Sequence, residues 1–207
     1  MKKIIKQSQI YYSYRHYHPA VNQQSKTTNI YHCCAMKTGS QWFVKLFSDP
    51  LIYQKTGMTI FNYQQRLSVK PDPRPFNKRF IDKKFPFYSI ASPLYMDYCS
   101  YESIPKPTEY RTFFVARDPR DILVSLYFSM KDTHKVQGRV GEIRKRLHNL
   151  SLKEGLKHEI KRMEQEKFFD QLNSWNLNKH RLNVKIIRFE DIFGINQHKY
   201  LYELFSH

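Results

Sequence analysis

Five short apolar runs recur along the chain, separated by stretches of polar residues, proline and glycine. They lie at residues 28–36, 58–61, 85–91, 112–116 and 184–187. Within each run the apolar side chains follow one another instead of alternating with polar ones, which is typical of strands that are buried on both faces. The runs therefore predict five strands of a parallel sheet, of which TFFVA at 112–116 has the clearest pattern.

Apolar residues at helical spacing occupy most of the remaining chain. These stretches lie at about 42–47, 122–127, 139–178 and 197–205, and Asp49-Pro50 is expected to end the first of them. Within the longest stretch, Ser151 and Glu154 have the spacing of a capping box. Four apolar residues then recur every three or four positions, namely Leu152, Leu156, Ile160 and Met163.

Strands that alternate with helices predict an α/β fold, here a three-layer sandwich with a central parallel sheet. In such folds ligands bind where strands end and helices begin. We expect one domain at 28–207, preceded at 1–27 by a loose arm that is polar, basic and rich in tyrosine. The basic, proline-rich stretch at 64–86 is typical of a surface loop.

Composition excludes several other classes of protein. The 207 residues are 41% hydrophobic and include 15 Tyr, 15 Phe and 2 Trp, too much apolar area for a disordered chain. No apolar run approaches the ~18 residues of a membrane span. Three cysteines without CxxC or Cys/His spacing predict neither a disulfide scaffold nor a metal site. No apolar stretch follows the N-terminal lysines, as it would in a signal peptide, so a cytoplasmic location is expected.

Charge is the first positive indication of a partner. The formal net charge is +17, and residues 1–48 contain seven Lys or Arg and no Asp or Glu. Such an excess favours a polyanionic partner, which could be a nucleic acid, an anionic membrane surface, or a phosphorylated or sulfated ligand. Charge alone leaves these three open.

The turn after the first predicted strand reads MKTGSQW, from Met36 to Trp42. Gly39 allows tight curvature, the amides that begin the next helix point outward with partial positive charge, and Lys37, Thr38 and Ser40 add donors. Together they suit a phosphate. No Gly-Lys dipeptide occurs in the chain, so this is not a Walker A loop. An ordinary strand-to-helix turn with a solvated lysine is the alternative interpretation.

The turn after TFFVA reads RDPRD and begins at Arg117. An arginine at the end of a strand can grip a phosphate with two donors, and Pro119 suits the first turn of a helix. Ser125 lies eight residues after Arg117, where its hydroxyl could face the same anion. Taken singly, these residues also fit a surface turn with internal ion pairs. Two phosphate-suited turns at strand ends of one sheet favour a binding site.

Three blocks of the sequence together resemble the PAPS-dependent sulfotransferases, which use 3′-phosphoadenosine 5′-phosphosulfate (PAPS) as sulfuryl donor. MKTGSQW resembles the family's 5′-phosphosulfate loop, and FFVARDPRDILVSLYFSM resembles its 3′-phosphate motif with Arg and Ser eight residues apart. IIRFEDI at 186–192 resembles the strand that helps to hold the nucleotide end of the site. The blocks lie in the family's order over roughly 28–205, which implies its P-loop NTPase-like sulfotransferase fold.

The resemblance implies a role for each matching residue. Lys37 would contact the bridging oxygen and the 5′-phosphate and stabilise the leaving 3′-phosphoadenosine 5′-phosphate (PAP), while Arg117 and Ser125 would hold the 3′-phosphate. The implied reaction is metal-free sulfuryl transfer from PAPS to a hydroxyl or amine acceptor, and a carbohydrate is one candidate acceptor. The rest of the 5′-phosphate cradle would be the amides and side chains of Thr38, Gly39, Ser40, Gln41 and Trp42.

Two departures from the family pattern bear on activity. Many members carry a histidine base where Ser92 stands, and serine is a poor base at neutral pH. Asp49, Asp97 and His32 are the other candidates, but caps and a structural role suit them better. The chain also ends at His207 without the family's basic, glycine-containing segment after the Glu-Asp strand. We therefore expect PAPS to be held from one side and transfer to be weak.

Two other functions compete with a sulfotransferase. A non-catalytic relative that binds PAP, PAPS or another polyanion would explain both departures. A nucleic-acid-binding protein would explain the +17 charge and the aromatic stretch YYSYRHYH at 11–18, but no recognised nucleic-acid motif is present. Nucleic acid is therefore the weaker candidate.

Overall fold

The computed structural model describes residues 20–63, 74–136 and 138–206. Its core is a five-stranded sheet in the order β2-β3-β1-β4-β5, in which all neighbouring strands are parallel. The strands are β1 Asn29–Cys34, β2 Thr59–Asn62, β3 Ser89–Leu94, β4 Tyr110–Ala116 and β5 Val184–Arg188. All five predicted strands are confirmed.

The predicted third strand is displaced along the chain. The apolar run begins at Phe85, whereas the hydrogen-bonded strand begins at Ser89. The carbonyl of Pro86 accepts hydrogen bonds from the side chains of Asn29 and Ser89, at 2.8 and 2.6 Å. Side-chain hydrogen bonds therefore hold the first part of this run, and the backbone hydrogen bonds between strands begin only after it.

Helices cover both faces of the sheet, as a three-layer sandwich requires. They are α1 Ser40–Phe47, α2 Pro50–Thr56, α3 Tyr98–Glu102, α4 Pro119–Phe128, α5 Val140–His148, α6 Leu152–Gln165, α7 Phe168–Leu177, α8 Phe189–Ile192 and α9 Gln197–Phe205. A π-helical turn, Ser129–Thr133, continues α4, and Phe76–Lys78 forms a 3₁₀ turn. The sequence pattern missed α2 and α3, which are short.

The stretch predicted to be helical at 139–178 contains the three helices α5, α6 and α7. The capping box is confirmed, since the Ser151 hydroxyl accepts from the Glu154 amide while the Glu154 carboxylate accepts from the Ser151 amide. At Lys167, which has a φ of 59°, the backbone leaves the helical conformation, and this break separates α6 from α7. Of the four periodic apolar residues, Met163 is buried and Leu156 packs against the core, whereas Leu152 is exposed and the charged Glu159 is buried. The apolar period therefore identified only part of the packed face.

Two apolar clusters lie on opposite faces of the sheet. Phe113 and Val115 of β4 pack on one face with Phe43 and Phe47, whereas Phe114 packs on the other, with its ring 4.7 Å from that of Trp175. β4 is therefore buried on both faces, as its sequence predicts, and lies beside the central strand β1. Its carboxyl end is held next to that of β1.

Two segments predicted to lie on the surface fall partly outside the described residues, namely the arm at 1–27 and the proline-rich stretch at 64–86. Residues 20–27 run along α2, where the amides of Asn22 and Ser25 donate to the carbonyls of Gln54 and Thr56. From residue 74 onward the proline-rich stretch contains one fully buried ring, that of Phe76. This part of the loop is therefore packed onto the domain.

A buried histidine makes the stability of the domain depend on pH. The ring of His32 lies in the apolar core, stacked 4.8 Å from Phe113, and its Nδ1 is 2.8 Å from the Ser92 hydroxyl. Its Nε2 has no partner among the described residues. Burial lowers the pKa of His32 from 6.5 to about 3, so in mildly acidic solution only the unfolded chain binds this proton.

We predict that, because of His32, the free energy of unfolding decreases by about 1.4 kcal/mol for each unit by which the pH is lowered between 6.5 and 3. Urea unfolding at several pH values from 4 to 7.5 measures the slope. His32→Asn should reduce the slope by that amount, and His180→Asn, at an exposed position, should leave it unchanged. Equal slopes for His32→Asn and the wild type would contradict the prediction.

Candidate functional site

The turn between β1 and α1 has the backbone of an anion-binding loop. Lys37 and Gly39 both have positive φ angles, 60° and 71°, so the chain curls back as it enters the helix. A Cβ atom on Gly39 would lie 2.9 Å from the Phe193 ring, closer than packed carbon atoms approach. Glycine is therefore required at this position by conformation and by space.

Several backbone amides of this turn have no protein acceptor in the described chain. The first helical bonds run from the amides of Trp42 and Phe43 to the Gly39 carbonyl, at 2.8 and 3.2 Å. Within the described part of the chain, the amides of residues 37–41 donate to no protein acceptor. Several convergent donors at a helix N-terminus suit a phosphate or sulfate group.

The hydroxyls of the turn have protein partners, which modifies the sequence-based prediction. Thr38 is fully buried, and its hydroxyl donates to the Ala35 carbonyl at 2.7 Å. The Ser40 hydroxyl is 2.6 Å from the hydroxyl of Tyr95, a residue that sequence reasoning did not select. These two side chains brace the loop, so its backbone amides are the groups that remain for an anion.

Arg117 joins the second turn to the first. Its Nη1 donates to the Lys37 carbonyl at 2.7 Å, and its guanidinium carbon lies 4.3 Å from the centroid of the Phe189 ring. Its Nε is buried and has no partner among the described residues. The two predicted turns therefore form one site, and Arg117 keeps a donor that an anionic ligand would satisfy.

The rest of the RDPRD segment partly matches its alternative interpretation as a surface turn with internal ion pairs. Asp118 caps α4, Pro119 begins that helix, and the exposed Arg120 side chain pairs with Asp118 at 2.6 Å. This pairing lowers the pKa of Asp118 to about 2. The Ser125 side chain is half-buried on α4 and has no hydrogen-bond partner in the part of the chain that the structure describes.

Burial and charge act together on the Lys37 ammonium. Desolvation lowers its pKa, and the nearby positive charge of Arg117 lowers it further. A bound anion would favour the charged form of both side chains. The pair is thus suited to a ligand with negative charge and unsuited to a cation.

The third sequence block forms the wall of the site. Glu190 accepts a hydrogen bond from the Asp118 amide at 3.0 Å, which fixes α8 against the second turn. The rings of Phe189 and Phe193 lie 4.4 Å apart, and Phe193 contacts Trp42 at 5.0 Å. Sequence reasoning missed Phe193, although its place two residues after the Glu-Asp pair was a usable signal. Gln41, by contrast, is exposed at the start of α1.

The four base candidates all have structural roles. Ser92 and His32 are fully buried and bonded to each other. Asp49 caps α2 by accepting from the Leu51 amide, and Asp97 caps α3 by accepting from the Ser100 amide. The expectation that caps and structure explain these residues is confirmed, and the end of β3 supplies no exposed base.

Two cavities of about 410 and 420 Å³ lie near the amino ends of the strands, at the end of the sheet away from the two turns. One is lined by Tyr110 and Val184, the first residues of β4 and β5, and the other by Thr28, just before β1. The two turns instead follow the carboxyl ends of β1 and β4, where ligands bind in parallel α/β sheets. The unpartnered amides and positive charges of these turns, and not the volume of a cavity, therefore mark the candidate anion site.

Neither a metal cluster nor a membrane helix was found in the described ranges. No three His, Cys, Asp or Glu side chains of residues 20–63, 74–136 and 138–206 are grouped to hold a metal ion. Over the same ranges, no helix is both long and apolar enough to cross a membrane.

Comparison with known proteins identifies the family. The model of the sulfotransferase domain matches residues 5–196. Among solved structures, mouse sulfotransferase SULT7A1 complexed with PAP is similar, with 14% identity and a TM-score of 0.46 over 88% of this chain. The match spans 58% of the mouse chain, and no curated protein matches. By the extent of the domain match, this chain belongs to the sulfotransferase domain family.

Proposed function

We propose that this protein transfers a sulfuryl group from PAPS to a hydroxyl or amine acceptor. The observation that carries the proposal is the hydrogen bond from Arg117 to the Lys37 carbonyl, which brings two anion-suited turns into one site. PAPS has phosphate groups at both ends of its ribose, and a site with two separated anion subsites fits that arrangement.

The residues present fit this nucleotide. The free amides of residues 37–41 and the Lys37 ammonium would hold the 5′-phosphosulfate. The unpartnered Nε of Arg117 and the Ser125 hydroxyl would hold the 3′-phosphate. Trp42, Phe189 and Phe193 supply an aromatic wall beside the turns. PAPS supplies the sulfuryl group, and the protein supplies position and charge.

Catalysis would rest on Lys37 and the helix N-terminus. Negative charge builds on the leaving 5′-phosphate oxygen as its bond to sulfur breaks, and fixed donors stabilise that charge without rearrangement. Arg117 holds the Lys37 backbone in place, so its loss would disturb both phosphate subsites. Positioning and charge stabilisation together account for most of the rate in comparable phosphoryl transfers.

We predict that PAP binds more tightly than AMP and that its affinity falls as salt increases. Arg117 and Ser125 read the 3′-phosphate that AMP lacks, and interactions of exposed charges are screened at high ionic strength. Isothermal titration of both nucleotides at low and high salt is the measurement. Equal affinities for PAP and AMP would contradict a 3′-phosphate subsite.

Transfer itself is tested with radiolabelled PAPS and a mixed panel of saccharide, phenol, lipid and amine acceptors. Labelled product supports the proposed reaction. PAP binding without product on any acceptor would favour the non-catalytic alternative, which the burial of Ser92 at the family's histidine position also supports. A matched assay with Lys37→Ala shows whether any product depends on this site.

A further inference from the structure

Tyr95 is the first residue after β3, and its side chain reaches the turn between β1 and α1. Its hydroxyl lies 2.6 Å from that of Ser40, the buried first residue of α1. The tyrosine side chain also packs against both apolar clusters of the core. Burial raises the pKa of Tyr95, so the phenol stays protonated at neutral pH and keeps this hydrogen bond. Tyr95 therefore joins the end of β3 to the start of the helix that follows the turn.

The backbone around Tyr95 is itself held by side chains from other parts of the chain. The Tyr95 carbonyl accepts from Nη1 of Arg79 at 2.8 Å. The next carbonyl, that of Met96, accepts from the buried side-chain amide of Gln171 at 3.1 Å. The same amide group donates to the carbonyl of Cys34, the last residue of β1, at 3.2 Å. The carboxyl ends of β1 and β3 are thus tied together, and the Tyr95 hydroxyl is presented from a fixed backbone.

The position of Ser40 sets the direction of the donors in the turn. Its own backbone amide is one of those that have no acceptor in the described chain. The first helical hydrogen bonds, from Trp42 and Phe43 to the Gly39 carbonyl, make the start of α1 move together with Ser40. A displacement of about 1 Å in such groups costs on the order of 10²-fold in rate. A contact that fixes Ser40 therefore also fixes the amides that face an anion.

We propose that Tyr95 is a positioning residue of the 5′-phosphosulfate subsite, an assignment that rests on the proposed binding of PAPS. Through the Ser40 hydroxyl, Tyr95 holds the start of α1 where its amides converge on the 5′-phosphate. The guanidinium of Arg117, which would hold the 3′-phosphate, is fixed separately, by its bond to the Lys37 carbonyl and by its packing on Phe189. Loss of the Tyr95 hydroxyl should therefore weaken one subsite and spare the other.

The test is Tyr95→Phe, which removes one hydroxyl and keeps the ring, measured by titration with three nucleotides. PAP has both phosphates, AMP has only the 5′-phosphate, and adenosine 3′-monophosphate has only the 3′-phosphate. The affinities for PAP and AMP should each fall about three- to tenfold, the usual net value of one hydrogen bond. The affinity for adenosine 3′-monophosphate, and the ratio of PAP to AMP affinity, should stay at the wild-type values. A general loosening of the domain would lower all three affinities.

Tyr101→Phe is the matched control. Tyr101 is fully buried, and its hydroxyl is hydrogen-bonded to that of Thr112 near the start of β4, at the other end of the sheet. The control loses the same kind of hydroxyl pair from the core, so its free energy of unfolding should fall. Its affinities for the three nucleotides should equal those of the wild type.

A double-mutant cycle shows whether Tyr95 acts through Ser40. Once Ser40→Ala has removed the partner hydroxyl, Tyr95→Phe should lower the AMP affinity no further. Additive losses, equal losses for AMP and adenosine 3′-monophosphate, or an unchanged AMP affinity in Tyr95→Phe would overturn the role of Tyr95 while the nucleotide site stood. A wild-type protein that bound none of the three nucleotides would overturn the proposed PAPS site and the role of Tyr95 with it.

Discussion

Replacing Lys37 with alanine is expected to lower the turnover number of sulfuryl transfer by about 10²–10³-fold, the usual effect of losing one donor to a developing negative charge. PAP affinity should fall much less, by about tenfold at most, because the interaction strengthens as the charge on the leaving phosphate grows. The amides of residues 37–41, which have no acceptor in the described chain, would still be available to the 5′-phosphate in the variant. Steady-state kinetics and isothermal titration on the same preparation give the two values.

Lys45→Ala is the matched control for this prediction. Lys45 is exposed on α1, so Lys45→Ala removes one positive charge from the helix that follows the turn and leaves the turn itself intact. It should leave turnover near the wild-type value. If Lys37→Ala raised the Michaelis constant and kept normal turnover, Lys37 would bind substrate without stabilising the transition state.

Replacing Arg117 with alanine is expected to weaken PAP binding on the order of 10²–10³-fold, as the loss of a partly buried, hydrogen-bonded charge usually costs. The change removes the proposed phosphate donor together with the hydrogen bond to the Lys37 carbonyl and the packing on Phe189. AMP affinity should fall less, because AMP lacks the 3′-phosphate. The ratio of the two affinities, measured by titration, should therefore approach one.

Two further variants distinguish the effect of the planar guanidinium group from the effect of its positive charge. Arg117→Lys keeps the charge, but a single ammonium cannot replace the planar group that contacts Phe189 and Lys37, so we expect most of the loss to remain. Arg120→Ala removes an exposed arginine three residues away and should have little effect. A retained preference of Arg117→Ala for PAP over AMP would place the 3′-phosphate elsewhere.

Local pattern was enough to locate most elements of this fold. All five strands were predicted from their apolar runs. In β4, Phe113, Phe114 and Val115 are all buried, as a strand covered on both faces requires, whereas the edge strand β2 is only partly buried. Short helices were missed because few residues carry their period. Pro50 was expected to end a helix, yet it also begins α2 after the cap Asp49.

The apolar period of α6 predicted only part of its packed face, namely Leu156 and Met163. Glu159 is also fully buried, and Arg162, three residues further along the same helix, pairs with it at 2.6 Å. Leu152 remains exposed although its spacing fits the apolar stripe. Which face a helix buries depends on what packs against it.

The sequence by itself determined the class of fold, the two strand-to-helix turns and the residues Lys37, Gly39, Arg117 and Ser125 at their positions along the chain. These properties are local, because they depend on runs, caps and short spacings. Only the folded chain shows that Arg117 donates to the Lys37 carbonyl and that the Phe193 ring packs against Gly39. Those contacts join residues far apart in the chain, and only the order and direction of the strands bring them together.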